Sequence, residues 1–281
     1  MTSVSQFGDV ARMIVRRGIN PVDGARLTAL DFNGAEGLDP VNAMLTVSGA
    51  EAGQLLDVTS TFITAGGANV LFTATETTSQ IVPFEGIGNG AIDGDLHVLS
   101  LASQWSDVSL SAAEGYFLRA GNRGMALGAP LEPITVGAVS GVPNVRFRMT
   151  IPGVPAYRMA AVSEYNAGGF GPLNRDAEIT VTAAYLGAAP GTWTVTMPDF
   201  TGATGYNPTF GFGSGLGLSY AGILTGGTRN FFARPLDGQL MSYAVREGSS
   251  VSNVTASRVP TRFITPARLR AMHALGTRRT R

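Results

Sequence analysis

Over most of the chain, apolar and polar positions alternate with the period of a β-strand. The clearest case is 145–151, where Val145, Phe147, Met149 and Ile151 alternate with Arg146, Arg148 and Thr150. Successive strand side chains point to opposite faces, so a slip of one residue would turn both guanidinium groups into the core. The register is therefore well specified. Leu56, Val58, Ser60 and Phe62 form one face of a second strand, and Val70, Phe72 and Ala74 one face of a third. Further strands are expected at 96–101, 116–120, 157–163, 178–185, 192–197, 218–224, 230–233 and 239–246. Turn dipeptides separate them, among them Asn89-Gly90, Asp93-Gly94, Pro152-Gly153, Pro190-Gly191 and Asp237-Gly238. Short strands punctuated this way predict an all-β sandwich or barrel rather than alternating strands and helices.

The two ends depart from this pattern. Residues 1–26 read as an arm with a helical stretch at 9–17, where Val10, Met13 and Ile14 share a face and Gly18 ends the run. At the other end, Thr265-Pro266 supplies a cap and a proline at the first helical position, and Gly276 stands where a helix stops. That helix would turn Leu269 and Met272 inward and Arg268 and Arg270 outward. The expected organisation is an arm at 1–26, a β-rich domain at 27–128, a β-sandwich domain at 129–250 and a basic arm with a helix at 251–281.

Composition sharpens this reading. Of 281 residues, 44% are apolar and only 14% charged, with zero formal net charge. A surface so poor in charge suits a protein partly covered by neighbours. Cysteine is absent, which removes disulfides, thiolate metal sites and a cysteine nucleophile. All 20 basic residues are arginine, so no lysine can form a Schiff base. The first residues carry no long apolar run after a basic start, so no secretory signal is expected. No stretch of roughly 18 apolar residues suggests a membrane span. Synthesis in a cytoplasm is the expectation.

Charge is segregated. Between Leu27 and Leu118 there is no arginine but there are eleven acids, whereas residues 258–281 hold seven arginines and no acid. Such asymmetry favours head-to-tail contacts between copies, or docking of the tail on an acidic partner. Arg258, Arg262, Arg268, Arg270, Arg278 and Arg279 are the candidate assembly contacts.

Candidate chemistry is sparse. The two histidines, His97 and His273, are too far apart in sequence for a local metal motif. No Gly-x-Ser-x-Gly elbow occurs, and 211–217 has the wrong glycine spacing for a dinucleotide fingerprint. No catalytic set and no cofactor are therefore assigned. Asn89, Asp93 and Asp95 alternate as oxygen ligands for Ca²⁺ could, although Asn-Gly and Asp-Gly are also ordinary turn pairs. A carboxylate pair drawn from separate strands would be the route to polysaccharide hydrolysis. Tyr206, Phe210 and Tyr220 flank the glycine-rich stretch, with Phe231 and Phe232 soon after, and offer a possible glycan platform. Basic residues are not interleaved with aromatics, so nucleic acid is not an expected partner.

The stretch 157–182, YRMAAVSEYNAGGFGPLNRDAEITVT, resembles the last two strands of a fibronectin type III domain. Tyr157, Met159 and Ala161 would line the inner face, Gly168, Gly169 and Gly171 the hairpin, and Ile179 and Val181 would pack back inside. The resemblance covers about 26 residues, and both tryptophans, Trp105 and Trp193, lie outside it. It implies one or two immunoglobulin- or fibronectin-like sandwich domains, with a short N-terminal arm and a short C-terminal helix. Such modules are spacers and contact surfaces, common in virion proteins of tailed bacteriophages and in secreted glycan-active proteins. The expectation is thus a non-enzymatic virion component of a tail, fibre, spike or head decoration, contacting copies of itself and other virion proteins, with host-surface glycan as a further partner. The alternatives are an extracellular glycan-binding or adhesion module and, third, a carboxylate-based polysaccharide-degrading enzyme.

Overall fold

The computed structural model describes residues 2–4, 10–19, 23, 24, 26, 28–92, 94–105, 109–140, 144–167, 175–212, 217–229 and 233–250. The chain is nearly all β. Its strands are β1 (Thr2–Val4), β2 (Val10–Met13), β3 (Pro40–Ser48), β4 (Leu56–Ile63), β5 (Asn69–Thr77), β6 (Ile81–Ile87), β7 (Leu96–Gln104) and β8 (Ser109–Phe117). They continue as β9 (Arg123–Ala126), β10 (Thr135–Ser140), β11 (Arg146–Pro152), β12 (Ala160–Ala167), β13 (Arg175–Thr182), β14 (Thr192–Thr196), β15 (Leu218–Gly227) and β16 (Gln239–Ser250). A four-residue helix, α1 (Ala183–Leu186), follows β13. The strand order β13-β12-β15-β16-β8-β7-β4-β5 defines an eight-stranded sheet, and β6-β3-β9 and β10-β11-β14 define two three-stranded sheets. The chain divides into two compact units, one of residues 1–101, 114–126 and 234–240, the other of 102–113, 127–233 and 241–281.

In the first unit, Val10–Met13, within the helix expected at 9–17, is a strand, and 14–17 form no helix. β2 pairs antiparallel with β1, and the register shifts between Ser3 and Val4. Val10 and Met13 therefore reach the same buried side despite a spacing that reads as helical; they pack with Phe62, Phe72 and Ile87. A helix of nine residues is marginal alone, whereas the strand gains reciprocal backbone bonds between Met13 and Leu38 (3.0 and 2.8 Å). Arg12 and Asp39, and Arg16 and Glu36, are ion-paired at 2.7 Å.

The expected inner face of β4 is present, with Leu56, Val58, Ser60 and Phe62 all fully buried. Ala74 of β5 is exposed, so that strand turns inward only through Phe72 and partly through Val70. β6 is a margin strand of its sheet and contains Pro83 and Gly86, both poor in central strands. Side chains of other strands answer its outward backbone groups. Ser60 Oγ donates to Glu85 O (2.8 Å), Glu85 N donates to Thr73 Oγ1 (2.9 Å), and Ile87 N donates to His97 Nε2 (2.8 Å). This accounts for Ser60 and His97 in the interior, because a buried polar group without a partner is costly. The His97 ring lies against Phe62, with centroids 5.0 Å apart, and a side chain on Gly86 would collide with it.

The second unit is a sandwich. Met149 and Ile151 of β11 stand beside Val195 and Trp193 of β14, their cross-strand neighbours. This layer packs on Ala161 and Tyr165 of β12, Leu218 and Leu224 of β15, and Ala244 of β16. Trp193, Met149 and Ile151 are at most 1% exposed. Gly222 lies where a Cβ would come 3.0 Å from Met149 Sδ and from the Ile134 side chain, so its lack of a side chain lets the layers close. Val145 and Phe147 are half-buried against this core, and Arg148 is exposed, as the alternation in 145–151 requires. Residues 157–182 supply the β12–β13 hairpin, and three further strands of the unit, β14 to β16, follow it. Tyr157 and Ala161 are in the core, Met159 is half-buried, and Ile179 and Val181 pack against the core. Gly168, Gly169 and Gly171 lie outside the described residues, as do 230–232 and the helix expected after Thr265. Burial raises the Tyr157 phenol to about 12; its hydroxyl donates to Ala129 O (3.1 Å).

Two outcomes follow. Burial, aided by the charge of Arg123 and only partly opposed by the contact of Nε2 with the Ile87 carbonyl (3.1 Å), lowers the His97 pKa from 6.5 to about 4. The unfolded chain then binds the proton more readily, so stability is full above pH 6.5 and falls as pH drops toward 4, by on the order of 3 kcal/mol. Denaturant midpoints measured from pH 7.5 to 4 should show this slope, and His97→Gln should flatten it. In the second unit, Trp193→Ala should lower stability by about 3–5 kcal/mol, read from urea denaturation at neutral pH.

Candidate functional site

The connection from β14 to β15 carries an unusual density of exposed rings, and the residues beneath it explain how they are held. Arg146 donates from Nε and Nη2 to Met197 O (3.1 and 2.9 Å) and reaches Asp199 at 3.4 Å. Asp199 Oδ1 accepts from the Thr201 hydroxyl (2.7 Å) and backbone N–H (3.0 Å). The Thr201 hydroxyl and then its backbone N–H hold the Asp199 carboxyl below its ordinary range. Further along, Asn207 Oδ1 accepts from Thr209 N and Oγ1, opening a single 3₁₀ turn at Pro208–Phe210. Three more bonds fasten the far end. Asn144 Nδ2 donates to Tyr206 Oη (3.4 Å), Arg175 Nη1 to Gly211 O (2.6 Å) and Val145 N to Phe212 O (2.8 Å). A Cβ on Gly211 would fall 2.0 Å from Asn144 Cγ, so this approach requires glycine.

On this fastened segment Phe200 is 48% and Phe210 73% exposed, and Tyr206 is half-buried. The Phe200 and Tyr206 rings lie 5.8 Å apart at 31°. Of the three aromatics expected to form a platform, Tyr206 and Phe210 sit on this connection. Tyr220 does not join them as an open ring: it packs against the core of the unit, where a Cβ on Gly248 would stand 2.5 Å from its ring. Phe212 is buried edge-on to Phe147. Phe231 and Phe232 lie outside the described residues. Phe200 was not foreseen; a lone Phe between Asp199 and Thr201 has no periodicity that would mark it.

The Ca²⁺ candidates divide differently. Asp95 is fully buried; it pairs with the Arg17 guanidinium and accepts from Ala65 N (2.8 Å) and Ile92 N (3.1 Å). Its oxygens thus staple loops of the first unit. Asn89 is exposed, Asp93 lies outside the described residues, and among the described residues no cluster of three His, Asp or Glu could hold a metal. The arginines of the tail, Arg258, Arg262, Arg268, Arg270, Arg278 and Arg279, also lie outside them.

Among the described residues, carboxylates stand directly opposite one another at Glu164 of β12 and Glu178 of β13, and again in the β4–β5 hairpin. Asp57 of β4 and Glu76 of β5 are directly opposed across the hairpin. Partial burial, then the charge and hydrogen bonding of Glu76, push the Asp57 carboxyl upward. β5 is the last strand of its sheet, so this acidic pair stands at a margin.

No protein-family model matches the sequence, and no curated protein is similar to it.

Like charges directly opposite on neighbouring strands repel. Glu76→Gln should therefore stabilise the protein at neutral pH by about 0.2–1 kcal/mol, and the gain should shrink as pH falls and the pair takes up protons. Thermal unfolding of the variant at pH 7 and at pH 4 checks both.

Proposed function

We infer that the protein is a non-enzymatic structural component of a bacteriophage-like virion, acting through contacts with copies of itself and with other virion proteins. The observation that carries this reading is the apolar character of its sheet margins. The margin strands β5, β6 and β10 each bear a large exposed aliphatic side chain, Leu71, Ile81 and Val139. β3 adds Val41 and Met44. Monomeric β proteins guard their margins with charge or proline, because an open apolar margin recruits other chains. Here the whole chain is only 14% charged. Glu76 and Pro83 guard β5 and β6, but β10 carries neither charge nor proline, as a margin that meets a neighbour in a repeated assembly would.

Charge segregation supports the same reading. The arginine-free acidic region between Leu27 and Leu118 and the basic stretch 258–281 are complementary, as head-to-tail contacts between copies require. The virion setting rests on the resemblance of 157–182 to modules frequent in such particles.

The reading predicts concentration-dependent self-association, measured by size-exclusion chromatography with light scattering. The full chain should form multimers. Leu71→Glu, Ile81→Lys, or removal of residues 258–281 should shift the distribution toward monomer. A full chain that stays monomeric, alike with and without 258–281, would sink the reading.

A further inference from the structure

We propose that Phe200, Tyr206 and Asn144 form a saccharide-binding site, with the rings of Phe200 and Tyr206 stacking on a pyranose and Asn144 and the Tyr206 hydroxyl binding its hydroxyl groups. A pyranose presents a face of C–H groups and a rim of hydroxyls, so its receptor must offer an aromatic face with donors and acceptors beside it. Both are present. Phe200 is 48% exposed and its ring is inclined at only 31° to that of Tyr206. The Tyr206 oxygen accepts from Asn144 Nδ2. Among the described residues, the hydroxyl proton of Tyr206 and Oδ1 of Asn144 have no partner and remain for a ligand.

Rigidity is the second argument. The segment bearing the rings is fixed by Arg146 on Met197 O, by the Asp199–Thr201 and Asn207–Thr209 turns, by Arg175 on Gly211 O and by the Val145–Phe212 bridge. Exposed rings on a loop ordered beforehand lose little freedom when a ligand stacks on them. A solvent-exposed ring that serves only packing would not need such anchoring.

Size separates a sugar from a protein partner. A stable protein interface covers about 800 Å² on each side. Three rings at roughly 150–250 Å² each, one of them already half-buried, fall short of that. They match one or two sugar units. Phe210, 73% exposed on the same connection, would serve a longer oligosaccharide.

The site is independent of the assembly reading and is tested separately from it. Glycan-array screening of the full chain, followed by titration calorimetry and saturation-transfer NMR with the best oligosaccharide, should find a ligand whose ring C–H protons receive the strongest transfer. Phe200→Ala and Tyr206→Ala should each weaken binding at least about tenfold. Tyr206→Phe should keep the stacking and lose the hydroxyl contribution, and Phe200→Tyr should bind as the parent does. Thermal midpoints show whether each variant is folded. Should Tyr206→Ala unfold the unit, the 73% exposed Phe210 still reports, since Phe210→Ala should weaken binding of longer oligosaccharides alone. No binding to any arrayed saccharide would overturn the proposal, as would binding indifferent to Phe200→Ala and Tyr206→Ala. Loss of self-association in those variants, with no saccharide bound, would instead assign the loop to protein contact and overturn it equally.

Discussion

A strand at the margin of a sheet leaves alternate N–H and C=O groups without a partner, and enclosing such a margin is costly unless side chains answer them. β6 meets this constraint inside the first unit. Its backbone at Glu85 and Ile87 is taken up by Ser60, Thr73 and His97, drawn from three other strands. Each of those polar groups would destabilise the interior alone. Together with the backbone they complete, they let a strand containing Pro83 and Gly86 be packed. The neutral imidazole is part of the same solution, since only an uncharged ring nitrogen can accept the Ile87 N–H, and that requirement makes the unit sensitive to acid.

The second unit solves a different problem. Its main cluster is apolar, built on Trp193 and Met149 against Tyr165 and Leu224, while Ser163, Thr225 and Arg229 are buried elsewhere in the unit. The arginines on the outer side of β11 and β13 are free for another use. Arg146 and Arg175 hold the β14–β15 connection by its carbonyls. The alternation that sends Met149 and Ile151 inward sends Arg146 outward, so the anchor of the loop and the anchor of the core belong to one strand. A rigid loop carrying exposed rings is thus a by-product of a well-specified strand.

Where alternation was unbroken, the fold was legible. The face of Leu56, Val58, Ser60 and Phe62 and the register of 145–151 could be read directly, because a slip in either would bury charge or expose the core. Val10 and Met13 misled, since a bulge in a strand imitates the spacing of a helix. β6 was hidden by Pro83 and Gly86, and the burial of both faces of β7 leaves no alternation to see. The site was half legible. Tyr206 and Phe210 stood out by composition, but Tyr220 looked equal to them and is not, because its strand turns it toward Gly248. Phe200 became visible only once Asp199 and Thr201 were seen to shape the chain around it.

The way the two units share the chain bears on how the protein is made. The first unit is closed by residues 234–240, where Leu118 N donates to Asp237 Oδ1 (2.7 Å) and Gly238 N to Tyr116 O (2.8 Å). The second draws on 102–113, made long before its other strands. During synthesis, neither unit can be finished when the ribosome has passed its first strands. Tyr116 and Leu118 wait for a partner more than a hundred residues downstream, a long closure that slows folding and favours pairing with the wrong chain. With eleven acids and no arginine between Leu27 and Leu118, this stretch carries like charge that repels the same stretch of a neighbouring copy.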